Sequence, residues 1–252
     1  MTRSVPAVRL LVIAAIAVLF LTNSLASARS SVPAGSTQIA RIEESSDWKT
    51  CGSCGNNGGG GTKAHYHMTR GITSPNLDGS STEFWIGGPH PFKNAYWFIE
   101  HSGSPSKPLS YLRYEFDIYV PSDAAKAPQA IEFECQQKAE GFIYNFAWQA
   151  DYADHEWRIF NYKAHRWERT GMAFGGFLPD RWHHVVAEFH SESGTVVHDA
   201  LTIDGVRRNV GIRHEAKRSG RGHYLTNAFQ LDLNGDASAY KVYVDRMTVT
   251  YK

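Results

Sequence analysis

One strand-forming segment constrains the fold more than any other feature of the sequence. Residues 111–120 read Tyr-Leu-Arg-Tyr-Glu-Phe-Asp-Ile-Tyr-Val, with an apolar side chain at every second position. Successive side chains of a β-strand point to opposite faces of the sheet, so one face of this strand is expected to pack in a core. The other face, with Arg113, Glu115 and Asp117, is expected to meet solvent or a groove.

Segments of this kind follow one another from residue 64 to the end of the chain. They are rich in Val, Ile, Tyr, Phe and Trp and are separated by Gly, Pro, Asp, Asn and Ser, which is the pattern of strands joined by turns. The best helical window, residues 122–127, is short and ends at Pro128. The sequence therefore predicts an all-β, two-sheet antiparallel jelly-roll sandwich. The predicted strands are residues 64–69, 82–87, 95–101, 111–120, 130–136, 142–150, 157–162, 182–192, 195–203, 206–210, 225–233 and 239–251.

The same alternation predicts which side chains lie between the two sheets. Aromatic and branched side chains fill such cores because they suit a pleated, half-buried surface. The predicted core residues are Phe116, Ile118, Phe133, Phe146, Val186 and Val244.

The first 41 residues set the predicted domain organisation. Two arginines precede an apolar run over residues 10–21, and the small residues Ala26-Ser27-Ala28 follow, which is the order of a secretory signal peptide. The run is shorter than the roughly 20 residues that span a bilayer. Residues 1–28 are predicted to be a signal peptide, 29–41 a flexible linker and 42–252 one jelly-roll domain. The mature protein is expected to be secreted, extracellular or periplasmic, and not embedded in a membrane.

The three cysteines are Cys51, Cys54 and Cys135. In an oxidising compartment at least one pair is expected to be joined. A small Cys51–Cys54 loop and a Cys54–Cys135 link are both open from the sequence. The Gly and Asn residues around Cys51 and Cys54 argue against a redox motif, and zinc would need further ligands at close spacing.

Four parts of the chain resemble the concanavalin A-like lectin and glucanase superfamily, in particular its laminarinase- and lichenase-type endoglucanases and laminin-G-like modules. Residues 111–121 resemble a framework strand that ends in Pro, and residues 129–136 stand where those glucanases have their catalytic strand. Residues 180–189, followed by 201–205, resemble a Trp-His strand with an Asp-Gly hairpin. Residues 241–249 resemble the final strand of many carbohydrate-binding sandwiches. The resemblance implies the sandwich fold and a carbohydrate ligand.

The resemblance also implies a pair of catalytic carboxylates, which this chain supplies only in part. The glucanase strand begins with a Glu nucleophile and ends with a Glu acid/base, whereas this chain has Glu132, Glu134 and then Gln136. Alternate residues of a strand lie about 6.8 Å apart, and glycosidases need carboxyl groups about 5–9.5 Å apart. Glu132 and Glu134 are therefore the candidate catalytic residues if the protein is an enzyme. An amide at Gln136 cannot donate the proton that the family mechanism needs.

The polar faces of the predicted strands carry the candidate carbohydrate-binding residues. Carboxylates and amides exchange hydrogen bonds with sugar hydroxyls, and aromatic rings pack against the apolar side of a pyranose. Trp148 has the opposite parity to Asn145 and Gln149, so only one of those sets can line a groove. The alternative is a merely solvated face, with Arg113 neutralising Glu115 or Glu132. The candidates are Arg113, Glu115, Glu132, Glu134, Gln136, Asn145, Trp148, Gln149 and Trp157.

A structural calcium ion is the one candidate cofactor, and none is expected to be required. In similar sandwiches an acidic residue on the last strand and an early Glu hold Ca²⁺, which takes about six to eight oxygen ligands. Asp245 and Glu43, or its neighbour Glu44, stand at those places. A plain strand Asp that faces water is the alternative for Asp245.

Three functions are open from the sequence. The first is a secreted, lectin-like protein that binds a polysaccharide or glycan. The second is a polysaccharide-degrading enzyme, either an endoglycosidase or a lyase in which Arg113 or Gln residues neutralise a uronate. The third is a structural or adhesion protein of the cell surface. Lys and Arg total 26 against 25 for Asp and Glu, so no nucleic-acid partner is expected. The sequence predicts neither the sugar nor the oligomeric state.

Overall fold

The computed structural model describes residues 31–50 and 64–252. Within them the chain forms strands, one 3₁₀ turn at Ile42–Glu44 and no α-helix. No helix in the described ranges is long and apolar enough to cross a membrane. The strands are β1 Thr37–Ile39, β2 Lys49–Thr50, β3 His65–Ile72, β4 Ser81–Gly87, β5 Asn94–Glu100, β6 Leu112–Tyr119, β7 Pro128–Ala139, β8 Phe142–Asp151, β9 Glu156–Asn161, β10 Arg166–Ala173, β11 Trp182–Glu192, β12 Thr195–Ile203, β13 Val206–Glu215, β14 Lys217–Arg218, β15 Tyr224–Leu233 and β16 Tyr240–Tyr251.

These strands form two antiparallel sheets that pack face to face. The β6 sheet has the order β13-β12-β11-β6-β16-β4-β3, with β1 paired to β16. The β7 sheet has the order β10-β9-β8-β7-β15-β5-β2, with β14 paired to β8. The predicted two-sheet antiparallel sandwich is confirmed. The strands β6 and β7 each lie in the middle of a sheet, although they are neighbours in the sequence.

The core lies between β6 and β7, as their alternation predicts. Phe116 of β6 meets Phe133 of β7 edge to face, with 5.1 Å between ring centroids. Phe146 of β8 packs against Phe189 of β11 in a tilted arrangement, at 5.3 Å. Such contacts add to the stabilisation from burial of the rings themselves. The predicted core residues Phe116, Ile118, Phe133, Phe146 and Val244 are all buried in this cluster.

Val186 is the exception among the predicted core residues. Its neighbour Val185 lies opposite the inward-facing Phe116, whereas Val186 lies opposite Glu115, on the outer face of the β6 sheet. The prediction that Val186 lies between the sheets is therefore wrong, although its side chain is buried. The run His-His-Val-Val-Ala has apolar side chains of both parities, so its pattern does not reveal which set faces inward.

The structure differs from the predicted organisation in two elements. The segment 29–41 is not linker throughout, because β1 pairs with the last strand from Thr37 to Ile39. The strand β10 was not predicted, because Arg166–Ala173 carries charged residues and a glycine rather than alternating apolar ones. The pairing of β9 with β10 supplies its backbone hydrogen bonds, with a register shift between Arg169 and Met172.

The predicted signal peptide and the cysteines Cys51 and Cys54 lie outside the described residues. Cys135 is a free thiol on the inward face of β7, and it is fully buried. Its Sγ accepts a hydrogen bond from Asn227 Nδ2 at 2.8 Å. Burial raises the pKa of the thiol well above its ordinary value. A Cys54–Cys135 link is thus wrong, while a Cys51–Cys54 bond stays a prediction.

We expect Cys135 to resist thiol reagents in the folded protein, because a buried thiol with a raised pKa is not nucleophilic. After unfolding without reductant, labelling and mass spectrometry of the exported protein should find Cys135 free and Cys51 joined to Cys54. A peptide in which Cys135 is joined to either of the others would contradict this arrangement.

A polar groove across the β7 sheet

The centre of the β7 sheet carries polar side chains on its outer face. Ile131, Phe133 and Cys135 point into the core, so the residues between them, Glu132 and Glu134, point outward. Strand pairing extends the same face sideways. The outward residues of the two neighbouring strands include Asn145 and Gln149 on β8 and Thr226, Gln230 and Asp232 on β15.

Glu132, Glu134, Gln149, Gln230 and Asp232 form the floor of a groove, here named the β7 groove, with a volume of about 330 Å³. It crosses six neighbouring strands, from β5 to β10. Five inter-strand spacings of about 4.8 Å give a length of roughly 24 Å. The groove is lined by Phe92, Asn94, Tyr96, Gln129, Glu132, Glu134, Gln149, Phe160, His165, Trp167, Gln230, Asp232 and Leu233.

Two carboxyl groups meet at the centre of the floor. Gln230 Nε2 lies 2.7 Å from Glu132 Oε2 and 2.9 Å from Asp232 Oδ1, so one amide donates to both. Gln149 Nε2 donates to the other oxygen of Glu132 at 2.7 Å. Burial, together with the neighbouring Asp232, raises the pKa of Glu132 well above its ordinary value. Burial likewise raises the pKa of Asp232. Two carboxyl groups this close share a proton rather than both ionising.

Glu134 lies two residues further along β7 than Glu132 and has a different hydrogen-bond partner. Tyr96 on β5 donates its hydroxyl to Glu134 Oε1 at 3.0 Å, and burial raises the pKa of Glu134. Gln136, the next outward residue, accepts a 2.6 Å hydrogen bond from the hydroxyl of Tyr224. The amide at position 136 is therefore held by a neighbouring strand.

Two amide oxygens at the groove, Gln149 Oε1 and Asn94 Oδ1, have no hydrogen-bond partner among the described residues. The side chain of Asn145 instead hydrogen-bonds to Glu134, which opposes the rise in the pKa of that carboxyl group. Asn145 and Gln149 are 2% and 7% exposed. Unpaired buried amides lower stability unless a ligand or water satisfies them. The accessible polar groups of the floor are therefore its carboxyl groups and the amides that line the groove beside them.

Aromatic side chains stand at both ends of the groove. Phe160 of β9 lies 5.1 Å from Trp167 of β10 and 5.7 Å from His165, measured between ring centroids. Tyr96 and Phe92 lie on the β5 side, and Phe92 is 54% exposed. The groove therefore combines a polar floor with aromatic walls.

The predicted aromatic site residues Trp148 and Trp157 do not line the groove. Trp148 is 0% exposed and Trp157 is 3% exposed. Their rings contact each other edge to face in the core, with centroids 6.3 Å apart. Their assignment to the sugar-binding face is wrong. Trp148 has the parity of the inward residues of β8, and Trp157 lies opposite the inward Ala150.

Arg113 and Glu115 are also placed elsewhere. They lie on β6, so they face outward from the other sheet and cannot reach Glu132. Arg113 Nε donates to Glu115 Oε2 at 2.8 Å. His184 bridges Glu115 and Asp117, at 3.0 and 3.2 Å. Hydrogen bonds to Asp117 and then Glu115 raise the pKa of His184 to about 9. This cluster is an internally compensated surface network.

The predicted calcium ligands Glu43 and Asp245 lie close together, and both are 0% exposed. Glu43 Oε2 accepts from the Met247 backbone at 2.9 Å, while its Oε1 has no partner. Asp245 accepts from the backbone of Leu77 and Arg246, at 2.6 and 2.8 Å. Burial raises the pKa of Glu43 to about 7. No cluster of three or more His, Cys, Asp or Glu side chains in the described ranges could hold a metal ion.

Sequence analysis did not predict the groove residues that lie on β10 and β15. Gln230 and Asp232 alternate with Phe229 and Leu231, so their outward orientation was readable from parity. Their position beside Glu132 was not, because it depends on β15 pairing with β7. Trp167 lies on the strand that the pattern did not predict.

Comparison with known proteins gives fold-level likenesses only. No protein-family profile matches the chain, and no curated protein matches it. A carbohydrate esterase of the Shiga toxin-encoding bacteriophage phi24B is 14% identical with a TM-score of 0.48, covering 86% of this chain and 100% of the esterase. The alginate lyase Aly36B is 12% identical with a TM-score of 0.45, covering 74% of this chain and 88% of the lyase. A family 11 carbohydrate-binding module from Clostridium thermocellum is 15% identical with a TM-score of 0.40, covering 87% of this chain and 96% of the module. These values assign no activity to this chain.

Trp148→Ala should lower the free energy of unfolding by about 3–5 kcal/mol, because it removes a large ring from the core. Urea denaturation followed by circular dichroism measures this loss. Trp148→Phe, which keeps an aromatic ring there, should fold and lose less stability than Trp148→Ala. A Trp148→Ala protein as stable as the wild type would contradict the core assignment.

Proposed function

We propose that this chain is a carbohydrate-binding protein and that a polysaccharide or other glycan lies in the β7 groove. The observation that carries the proposal is the polar floor around Glu132, Glu134 and Gln149, with Trp167 and Tyr96 on either side. Sugar hydroxyls need donors and acceptors in one plane, and the apolar face of a pyranose needs a flat ring beside it. The groove offers both.

The shape of the groove favours an extended chain over a single sugar. Its length of roughly 24 Å follows from the six strands that it crosses. Several sugar rings in line would contact the whole floor, whereas one ring would contact only part of it.

The secreted location that the sequence predicts remains part of this proposal. It rests on the arginines, the apolar run and the Ala26-Ser27-Ala28 segment within residues 1–28, an order typical of signal peptides. A polysaccharide ligand is consistent with export, since such polymers occur outside the cell.

Hydrolysis is the alternative function, and the carboxyl groups of Glu132 and Glu134 on one face favour it. A glycosidase needs a proton donor and an ionised carboxylate at a set distance. The shared proton of Glu132 and Asp232 would supply the donor. Burial disfavours the ionised form of Glu134, however, and Gln136 provides no second acid. A lyase that neutralises a uronate with Arg113 is disfavoured, since Arg113 lies on the opposite sheet.

Trp167→Ala should weaken binding of a neutral polysaccharide at least about tenfold, because an aromatic anchor of a binding site contributes more than about 1.4 kcal/mol. Affinity electrophoresis over a panel of soluble glucans, xylans and mannans, followed by calorimetry, measures the change. Trp85→Ala is the matched control, because Trp85 stacks on His67 at 4.7 Å on the other sheet. Equal effects of the two variants, or no binding to any glycan, would contradict the proposal.

The same samples distinguish binding from hydrolysis. We expect no new reducing ends during prolonged incubation with the bound polysaccharide. If reducing ends appear, and Glu134→Gln abolishes them while binding persists, the protein is a hydrolase. The control in that case is Glu192→Gln, since Glu192 is an exposed carboxylate at the end of β11.

We also propose that Glu43 and Asp245 hold a structural Ca²⁺. The supporting observation is the buried Glu43 Oε1 without a partner, beside a second buried carboxyl group. Carboxylate oxygens are ligands that calcium prefers, and backbone carbonyls and water complete its set of about six to eight. A bound cation would compensate the two buried charges and tie the 3₁₀ turn to the last strand.

Millimolar Ca²⁺ should then raise the melting temperature of the wild-type protein, and a chelator should reverse the rise. Glu43→Gln should remove the calcium effect, whereas Glu44→Gln, at the neighbouring and more exposed carboxylate, should keep it. If neither Ca²⁺ nor the chelator changes the wild-type melting temperature, the buried pair is stabilised by protonation instead of by a metal.

A further inference from the structure

The carboxyl groups of the β7 groove are held by neutral donors. Gln149 and Gln230 donate to Glu132, and Tyr96 donates to Glu134. This differs from the outer face of the β6 sheet, where Arg and His side chains pair with the carboxylates of Glu115, Asp117 and Glu188. The groove is therefore an acidic surface whose charge is limited by proton sharing rather than by ion pairs.

We propose that the Glu132–Asp232 pair makes the β7 groove select neutral polysaccharides over chains that contain uronic acids. The proposal rests on the carbohydrate-binding function argued above and names the class of ligand. A uronate would place its carboxylate within a few ångströms of three carboxyl groups that have no cationic partner in the described contacts. Like charges at such distances repel strongly where water is partly excluded.

The shared amide of Gln230 fixes the pair as one unit. Because Gln230 Nε2 reaches both Glu132 and Asp232, the two carboxyl groups cannot separate without breaking a hydrogen bond. In the singly protonated pair one carboxyl oxygen donates and the other groups accept. A neutral sugar hydroxyl, which both donates and accepts, can replace either contact. A uronate carboxylate can only accept, so it competes for the single proton.

The arginines on the outer face of β9 and β10 are engaged by other carboxylates. Arg158 of β9 contacts Asp151 at 3.2 Å and also contacts Asp154. Arg169 of β10 contacts Asp154 and Glu156. Other titratable groups near the pair include Glu134, Tyr96, His165, Tyr240 and Asp151. The buried Lys93 lies beside the groove residues Phe92 and Asn94 and is engaged in an interaction of its own.

Selection against uronates should strengthen as pH rises. A uronate is ionised throughout the range from pH 5 to pH 8.5, since its acidity resembles that of Asp or the α-carboxyl group. Burial raises the pKa of Asp232 to about 7, so this carboxyl group becomes more ionised across the same range. Repulsion is therefore greater at pH 8.5 than at pH 5, while a neutral chain meets no such change in Coulomb energy.

The test compares one polysaccharide in two charge forms. A neutral polysaccharide that the protein binds is oxidised at its primary C6 hydroxyls, which converts those residues to uronates and leaves the backbone unchanged. Calorimetry then gives the affinity of both forms at pH 5 and pH 8.5. At pH 8.5 we expect the oxidised form to bind at least about tenfold more weakly than the neutral form. At pH 5 this difference in affinity should be smaller.

Asp232→Asn separates the effect of charge from the loss of the C6 hydroxyl groups of the polysaccharide. In this variant the difference in affinity between the neutral and oxidised forms should be smaller at pH 8.5 and independent of pH, while Glu192→Gln should behave as the wild type does. The wild-type pH series is informative even if Asp232→Asn does not fold. Equal binding of both forms, or a gap unchanged by pH and by Asp232→Asn, would overturn the proposed selection while leaving carbohydrate binding intact. Failure to bind any neutral polysaccharide would overturn the proposed function itself.

Discussion

The alternation of side chains along β7 is the constraint on which both the core and the groove depend. Ile131, Phe133 and Cys135 are almost fully buried between the sheets, which forces Glu132 and Glu134 to the outer face. A shift of one residue would reverse every side chain and place two carboxyl groups in an aromatic core. Burying unpaired carboxylates there costs many kcal/mol. Core packing therefore fixes the position of the groove residues as firmly as any direct contact between them.

The groove retains groups that a stability-optimised sheet would not keep. Three half-buried carboxyl groups and two unpaired amide oxygens, those of Gln149 and Asn94, lie where smaller polar residues would suffice for solubility. Gln149, Gln230 and Tyr96 lower the cost by donating hydrogen bonds, and proton sharing lowers it further. Departures from local stability of this kind are expected at functional sites. The cluster around His184 shows the contrast, because each of its charges has an opposite partner within the protein.

Period-two alternation assigned inward and outward residues correctly on β6 and β7, and it predicted the sandwich. On β8 it left open whether Trp148 or the set of Asn145 and Gln149 faces outward. It could not say which sheet each strand joins. The strands β6 and β7 are consecutive, yet they lie in opposite sheets, so Arg113 and Glu115 face away from Glu132. Asp232 lies a hundred residues from Glu132 in the sequence and beside it in the sheet. Long-range pairing also places Trp167 at the groove, on a strand with no apolar alternation, while Trp148 follows the parity of the core.

Mapping a bound oligosaccharide on the protein by NMR tests the position of the site most directly. Titration of the ¹⁵N-labelled protein with an oligosaccharide of the polysaccharide that it binds reports on each backbone and side-chain N–H separately. The largest shifts should occur at the Gln149 and Gln230 side-chain amides and the Trp167 indole, with no change at the buried Trp148 indole. Shifts concentrated on the opposite sheet, around Glu115 and His184, with a silent β7 groove, would contradict the assignment.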